Sequence, residues 1–209
     1  MNVLVIAPHP DDESIGCGGA VSLHVQRHDH VTAVFLTSGE LGLKRLPREK
    51  AWEIRESEAQ KAGKILGLAE LFFLRCPDWF LGENKSQAAK LLRPILKQII
   101  PATIFLPHPN EWHPDHQAAW PILKAALKGS GVKVSTLLGY EVWTPLSQYN
   151  DVEDISSVMS RKLRAVRAHR SQMTDFKYDR AIAGLNRYRG AMAAKTRYAE
   201  VFQTLTPGK

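Results

Sequence analysis

The densest group of reactive side chains in this chain lies close to its first residue. One imidazole and three carboxyl groups occur within five positions, at His9, Asp11, Asp12 and Glu13. They directly follow the apolar run Val3–Ile6, and burying acidic groups beside such a run is costly unless a positive charge offsets them. The composition of this first cluster therefore predicts a cation in contact with it.

A second cluster supplies the imidazoles that such a cation needs. His108, His113 and His116 fall in one segment, which follows the apolar run Ile104–Leu106. Catalytic zinc sites often use three protein ligands of this kind and leave the fourth position open for water. The pattern predicts a divalent metal held by two histidines and one carboxylate. Neighbouring aspartates in a tight turn cannot easily both bind one ion, so one of them is expected to stay free.

Both clusters depend on short buried strands to position them. The predicted strands are 3–6, 31–37, 71–74, 103–106 and 135–140, and the predicted helices are 17–28, 48–66, 85–99, one from Pro114, 155–170 and 178–200. Pro94 predicts a kink or a late start of its helix. The strand and helix alternation predicts an α/β, three-layer Rossmann-like fold with a mostly parallel sheet of at least five strands. Parallel strands release their carboxyl ends at one edge, so we expect the two clusters to meet there.

The segment Ser14–Ala20 is rich in glycine, and we predict a tight loop there before the first helix. Such a turn also suggests dinucleotide binding. The spacing of Gly16, Gly18 and Gly19 does not fit the three-glycine pattern, and the acidic cluster stands where a pyrophosphate would bind. We therefore reject the dinucleotide interpretation. The segment 38–47 is polar, and the sequence leaves open whether it forms a lid.

Bulk composition predicts one cytosolic domain over residues 1–209, with a basic, mainly helical C-terminal part at about 151–209. Cys17 and Cys76 are the only cysteines, which fits a reducing compartment. No apolar run approaches the roughly 20 residues that a membrane span needs, and we expect no secretory signal. Residues 151–209 carry 12 basic and 6 acidic side chains. Most of the net charge of +7 of the chain therefore lies in this part. Because no aromatic-interleaved basic motif accompanies this charge, we do not predict nucleic-acid binding.

The two clusters resemble the signature motifs of the PIG-L/LmbE-like deacetylases. The first motif is His9-Pro10-Asp11-Asp12-Glu13 with Gly16-Cys17-Gly18-Gly19, and the second is His113-Pro114-Asp115-His116. Further agreement lies at Arg55 with Glu58, Tyr140-Glu141-Val142-Trp143, Ser171-Gln172 and Ala199-Glu200-Val201-Phe202. Members of this family are zinc-dependent hydrolases that remove acetyl groups from N-acetylglucosamine-containing compounds.

The resemblance implies a role for each residue of the two motifs. It makes His9, Asp12 and His116 the metal ligands and Asp11 the catalytic acid/base. It also makes His113 the group that stabilises the oxyanion, with Asp115 orienting His113.

The resemblance also changes the interpretation of Arg55. Arg55 and Glu58 are three residues apart on one predicted helix, a spacing that by itself favours a surface ion pair. Similar proteins place an arginine at the active-site mouth, so Arg55 is expected to contact the substrate. Imidazole and carboxylate ligands suit Zn²⁺ and Fe²⁺ alike, which leaves the metal open between the two.

The predicted activity is hydrolysis of the acetamide of an N-acetylglucosamine-type sugar or conjugate. The positive C-terminal part is a weak argument for an anionic aglycone, and the sequence leaves a homo-oligomer open. Two alternatives remain at this point. A non-haem iron oxygenase uses the same two histidines and one carboxylate. A non-catalytic sugar-binding module would keep the site without turnover, although the free Asp11 argues against it.

Overall fold

The computed structural model of the chain describes residues 1–174 and 176–206. The strands are β1 (Asn2–Ala7), β2 (His30–Thr37), β3 (Glu70–Cys76), β4 (Thr103–Pro107), β5 (Thr136–Tyr140), β6 (Asp151–Asp154) and β7 (Ala199–Thr204). The helices are α1 (Asp12–Gln26), α2 (Arg48–Leu66), α3 (Lys85–Ile99), α4 (Pro114–Ser130), α5 (Met159–Ala168) and α6 (Tyr178–Arg189). None of the described helices is both long and apolar enough to cross a membrane.

The order of the strands explains why the two polar clusters meet. The sheet runs β3-β2-β1-β4-β5-β7-β6, and β1 to β5 are parallel. The chain moves outward from β1 through β2 to β3, then returns across the sheet to β4 on the other side of β1. The crevice at such a reversal of strand order is where open α/β sheets bind ligands. Both polar clusters leave the sheet at this point, one after β1 and one after β4.

Side chains of the central strands alternate between two apolar layers. Val3 and Val5 of β1 face a core formed with α1, α2 and α5, whereas Leu4 and Ile6 face a core formed with α3 and α4. Period-two alternation places successive side chains on opposite faces of a sheet, so burial on both faces requires helices on both. The predicted three-layer architecture with a mostly parallel sheet is confirmed.

The glycine-rich segment is helical, which corrects the predicted tight loop. Helix α1 already begins at Asp12 and has a kink at Cys17, where φ is −136°. A Cβ atom on Gly16 would lie 2.1 Å from the ring of Tyr140, and one on Gly19 would lie 2.5 Å from Ile155. The glycines therefore allow a helix to pack closely against its neighbours.

The C-terminal part contains two strands, β6 and β7, that the sequence pattern did not predict. The helix predicted over 178–200 ends at Arg189, a π-helical turn covers Gly190–Ala194, and β7 follows. Strand β7 is antiparallel to both β5 and β6, with Val201 and Phe202 buried. Its apolar run is short and adjoins a helical pattern, so periodicity alone extended the helix into it.

Two smaller helix predictions also need adjustment. Helix α3 begins at Lys85 and continues through Pro94, so the late start that we considered does not occur. Helix α5 begins at Met159 rather than at residue 155, because Asp154 still belongs to β6. The basic C-terminal part is therefore a mixture of helices and strands.

A buried ion pair connects three elements across this region. Lys162 on α5 lies 2.7 Å from Oε1 of Glu200 on β7, and both side chains are almost fully buried. The Glu200 carboxylate also accepts hydrogen bonds from the backbone N–H groups of Gly19 and Ala20 on α1. The pair therefore links the C-terminal strand to the first helix.

Replacing Lys162 by methionine is expected to lower the free energy of unfolding by about 3 kcal/mol, because the Glu200 charge would stay buried without its partner. Methionine keeps the apolar stem that packs near Gly18. Urea unfolding measures the effect. Lys61→Ala, an exposed lysine on α2, is the control and should change stability by less than about 0.5 kcal/mol. A Lys162→Met protein as stable as that control would contradict the expectation.

Candidate active site

Three side chains from the two clusters direct ligand atoms at one point. His9 Nδ1 lies 3.4 Å from Asp12 Oδ2, and His116 Nε2 lies 3.3 Å from the same oxygen. The two imidazole nitrogens are 3.2 Å apart. His9 follows β1, Asp12 opens α1, and His116 lies in the first turn of α4. Residues far apart in the chain thus form a nearly equilateral triangle of nitrogen and oxygen atoms.

The dimensions of this triangle fit a tetrahedral metal ion. Zinc binds imidazole nitrogen and carboxylate oxygen at about 2.0–2.2 Å, which separates neighbouring tetrahedral ligands by about 3.3 Å. The second oxygen of the Asp12 carboxylate is also available to an ion. Asp12 Oδ1 is buried and has no hydrogen-bond partner among the described residues. Donor type, spacing and burial therefore suit a divalent cation.

The far side of the His9 ring is held by two carboxylates. Its Nε2 lies 3.1 Å from Asp78 Oδ1 and 3.2 Å from Asp115 Oδ2. A histidine that binds metal through one nitrogen usually donates its other N–H to a carboxylate or carbonyl oxygen, which fixes the ring. These contacts leave Nδ1 as the nitrogen that faces Asp12 and His116.

The Asp115 carboxylate contacts backbone N–H groups and the His9 ring. Its two oxygens accept hydrogen bonds from the backbone N–H groups of Trp79 and Leu81, at 2.7 and 3.0 Å. His113 instead accepts the backbone N–H of Asp115 at its Nδ1, at 3.2 Å. Asp115 therefore contacts His113 through its main chain and His9 through its side chain.

Glu111 places a carboxylate next to the His116 ring. Its Oε2 lies 3.5 Å from His116 Nδ1, and its Oε1 accepts backbone N–H groups of Val142, Trp143 and Thr144. The Glu111 side chain is fully buried. The loop after β5 thus holds a carboxylate beside the His116 nitrogen that faces away from the triangle.

The electrostatics of the triangle show how strongly it favours positive charge. Burial alone would lower the pKa of His9, but hydrogen bonds to Asp115, Asp12 and Asp78 raise it well above its usual value. Burial would likewise raise the pKa of Asp12, but His116 and His9 hold it far below the ordinary range. The carboxylates thus stabilise cationic imidazoles, and a bound metal ion would supply the same charge.

Asp11 lies beside the triangle in an unusual backbone conformation. Its φ of 137° is strained for any residue other than glycine. Glu13 accepts the Asp11 backbone N–H at 3.0 Å, and His169 Nε2 lies 3.1 Å from the other oxygen of Glu13. These contacts maintain the strained backbone. Burial raises the pKa of Asp11 to about 6, although Arg55 opposes the rise. Such a carboxyl group can exchange a proton near neutral pH.

Arg55 lies inside the site rather than on the surface. Its Nη2 donates to the carbonyl oxygen of Pro10 and lies 3.4 Å from Asp11 Oδ2. The ion pair with Glu58 suggested by spacing does not occur, since Glu58 accepts hydrogen bonds from the N–H and hydroxyl of Ser171. Arg55 therefore contacts Asp11 and also lines the cavity described below.

His113 is the third imidazole of the site and is suited to donating a hydrogen bond. Burial and the neighbouring His9 and His116 lower its pKa to about 4. Since its Nδ1 accepts the Asp115 N–H, the proton of the neutral ring lies on Nε2. Ligand atoms of His9, His113 and His116 also lie within 4.8 Å of one another, so a set of three imidazoles is a geometric alternative for the metal.

A cavity of about 520 Å³ opens over these groups. Its floor contains His9, Asp11, Arg55 and His113, so the free aspartate and the neutral histidine face one space. Segment 38–47 forms part of the wall through a 3₁₀ turn at Glu40–Leu43.

This wall segment is attached at several points. The N–H of Leu41 donates to Asp78 at 2.8 Å, and Trp52 Nε1 donates to Glu40 at 3.0 Å. In this conformation the segment lines the cavity without closing it.

Comparisons with known proteins identify the family of the chain. Residues 4–127 match the PIG-L family, described as GlcNAc-PI de-N-acetylase. A probable N-acetyl-alpha-D-glucosaminyl L-malate deacetylase 2 of Bacillus subtilis is 31% identical, covering 82% of this chain and 83% of the relative. The structure of N,N'-diacetylchitobiose deacetylase from Pyrococcus horikoshii superposes with a TM-score of 0.86 at 26% identity, covering 99% of this chain and 84% of that one.

A third similarity concerns the fold alone. GalB, the 4-carboxy-2-hydroxymuconate hydratase of Pseudomonas putida, superposes with a TM-score of 0.81 at 23% identity, covering 99% of this chain and 96% of that one. A shared fold does not determine the reaction, so the activity must be argued from the site.

Proposed function

Because the chain belongs to the PIG-L family, we propose that it is a metal-dependent hydrolase that removes the acetyl group from an N-acetylglucosamine-type sugar or conjugate. One observation carries the proposal. Three ligand atoms, from His9, Asp12 and His116, lie 3.2–3.4 Å apart next to an aspartate that is not one of them. Hydrolysis needs such a free acid, whereas an oxygenase or a binding module does not.

We assign the metal to His9, Asp12 and His116, and we favour Zn²⁺ over Fe²⁺ because the spacing suits a tetrahedral ion. When bound, the ion would act as a Lewis acid on the acetamide carbonyl and lower the pKa of water. A cytosolic location is also part of the proposal. It is supported by Cys17 and Cys76, which are buried and free.

The remaining chemistry belongs to side chains of the chain itself. Asp11 takes a proton from the attacking water and returns it to the departing amine, and its raised pKa suits both steps. The Nε2–H of His113 donates to the oxyanion that develops from the carbonyl oxygen. Arg55 keeps Asp11 in place and lines the substrate cavity, where we assign it a contact with the sugar. Acetate and a free amino sugar are the products.

The test is acetate release from a panel of N-acetylglucosaminides with neutral and anionic aglycones. Metal-stripped protein should be inactive, and zinc should restore its activity. Oxygen consumption in the presence of iron and a cosubstrate would instead support an oxygenase. Stoichiometric metal and tight sugar binding without acetate release would support a binding module.

Replacing His113 by alanine is expected to lower kcat by about 10²–10³, because one oxyanion donor is lost. Metal content should stay at the wild-type level, since His113 is not one of the assigned ligands. Acetate release and metal analysis measure the two effects on the same preparation.

His113→Asn provides the matched control for this prediction. Its amide can donate a hydrogen bond to the oxyanion and should recover part of the lost rate. Loss of metal from His113→Ala would contradict the assignment and favour the set of three imidazoles.

A further inference from the structure

The lining of the cavity includes side chains that the reaction does not use, and several of these are aromatic. Five of its lining residues are Trp79, Trp112, Trp143, Phe176 and Tyr178. Trp112 and Phe176 are 59% and 61% exposed. Large exposed aromatic side chains concentrated at one site indicate a binding surface. The chemistry assigned to Asp11 and His113 does not require them.

One wall of the cavity is formed by Trp79 and Trp112, and the backbone of Trp79 has an unfavourable conformation. Its φ is +71°, a region that bulky residues rarely adopt. The Asp115 carboxylate stabilises this backbone by accepting the Trp79 N–H at 2.7 Å. The indole ring then lies 4.4 Å from the His113 ring, with Trp112 on the same histidine at 5.4 Å. Strain maintained by a buried carboxylate, with the ring still 44% exposed, is typical of a functional position.

A second wall comes from the C-terminal part of the chain. The rings of Phe176 and Tyr178 are stacked at 5.5 Å with planes 16° apart. The Tyr178 ring lies 5.0 Å from that of Trp143, on the loop after β5. The Trp143 plane is tilted by 54° to that of Tyr178, so the three rings form a continuous but angled aromatic surface. It faces the same cavity as Trp79 and Trp112.

Few polar side chains accompany these rings. Besides the groups of the reaction and Asp78, the polar atoms of the described lining side chains belong to Gln172, Lys44, the three indoles and Tyr178. Arg55 is already bonded to Pro10 and Asp11. A second sugar would bring several hydroxyl groups, each of which needs a partner when water is displaced. For an anionic aglycone the described lining offers one exposed cation, Lys44, because Arg55 already contacts Asp11. The basic part 151–209 contributes Gln172, Phe176 and Tyr178 to the described lining, and no cation.

We propose that the aromatic walls form a subsite for a planar, apolar aglycone, such as an aryl group, on the N-acetylated sugar. This inference rests on the proposed function, because it names the substrate class of the same site. The sugar acetamide lies over Asp11 and His113, and the aglycone lies between Trp79 with Trp112 and Phe176 with Tyr178. Stacking and burial of the aglycone supply the specificity.

Four N-acetylglucosaminides test the proposal, with phenyl, methyl, glucosaminyl and alkyl-phosphate aglycones. The phenyl compound should have a kcat/KM about tenfold or more above that of the methyl compound, since an aromatic ring is then partly buried. Phe176→Ala should reduce the phenyl-to-methyl ratio by about two- to tenfold, chiefly through KM. Tyr188→Ala, an exposed aromatic on α6 outside the cavity lining, is the matched control and should leave the ratio unchanged.

Binding gives a readout that does not depend on turnover. Titrating phenyl glucosaminide, the amine product, into metal-stripped protein should quench tryptophan fluorescence. Phe176→Ala should weaken this binding by the same factor by which it lowers the phenyl-to-methyl ratio of kcat/KM. Methyl glucosaminide should bind the wild type and the variant equally well.

Several results would overturn the inference. Equal rates with phenyl and methyl compounds, a preference for the disaccharide, or a preference for the phosphate would each do so. These outcomes all require acetate release and therefore leave the proposed function intact. Absence of acetate release from every compound would instead refute the proposed function, and phenyl glucosaminide binding would then decide separately on the aromatic subsite.

Discussion

Replacing His116 by alanine is expected to release the metal and reduce acetate production to the level of the metal-stripped protein. His116 supplies one corner of the ligand triangle, at 3.2 Å from His9 and 3.3 Å from Asp12. Loss of a partner outside the ligand set typically costs 10–100-fold, so loss of a ligand should cost more than about 100-fold in activity. Metal analysis after dialysis and an acetate assay measure both effects.

His30→Ala is the matched control for this variant. Its imidazole is about half exposed and lies at the start of β2, away from the site. It should keep full metal content and full activity. A His116→Ala protein with stoichiometric metal would show that the ligand set has been assigned wrongly.

Replacing Asp11 by asparagine is expected to lower kcat by about 10²–10⁴ while the metal stays bound. Asparagine has nearly the same shape, but it cannot take a proton from water and return it to the amine. It also tolerates positive φ better than most residues, so the backbone at 137° should persist. The pairing with Arg55 becomes weaker, while the Asp12 oxygen stays in place between His9 and His116.

Metal analysis decides how the Asp11→Asn result is interpreted. If the variant loses both metal and activity, Asp11 is the ligand and Asp12 the free acid. Asp179→Asn is a suitable control, since its ion pair with Arg167 lies outside the cavity lining. That control should retain both metal and turnover.

Much of this site could be predicted because its main residues are adjacent in sequence to buried strands. Short apolar runs at β1 and β4 can only be strands, and parallel strands carry their following loops to one edge. The convergence of His9, Asp12 and His116 follows from that rule once the strand order is known. Predicting the individual roles of Asp11 and Asp12 needed the family resemblance, because spacing does not distinguish them.

The supporting residues could not be predicted in the same way. Asp78, Glu111 and His169 act through contacts between distant segments, and only folding brings those segments together. Glu111 had one signal, its position two residues before His113. Asp78 follows a predicted strand, so it is expected at the same edge of the sheet as the site. Its contact with His9 could not be predicted from that position. His169 had no signal at all, since a single histidine after a helix has no distinguishing pattern.

The position of β7 affects how this chain can fold while it is being synthesised. Within the described residues, strand β6 pairs with the sheet only through β7, and the carboxylate that accepts N–H groups from the middle of α1 also comes from β7. A ribosome makes β7 after the other described strands, on the order of several seconds after β5. During that interval the nascent chain has its parallel strands and the residues of its ligand triangle, but one flank of the growing sheet has no neighbour. A chaperone that shields that flank would protect the emerging polypeptide when aggregation is most favourable.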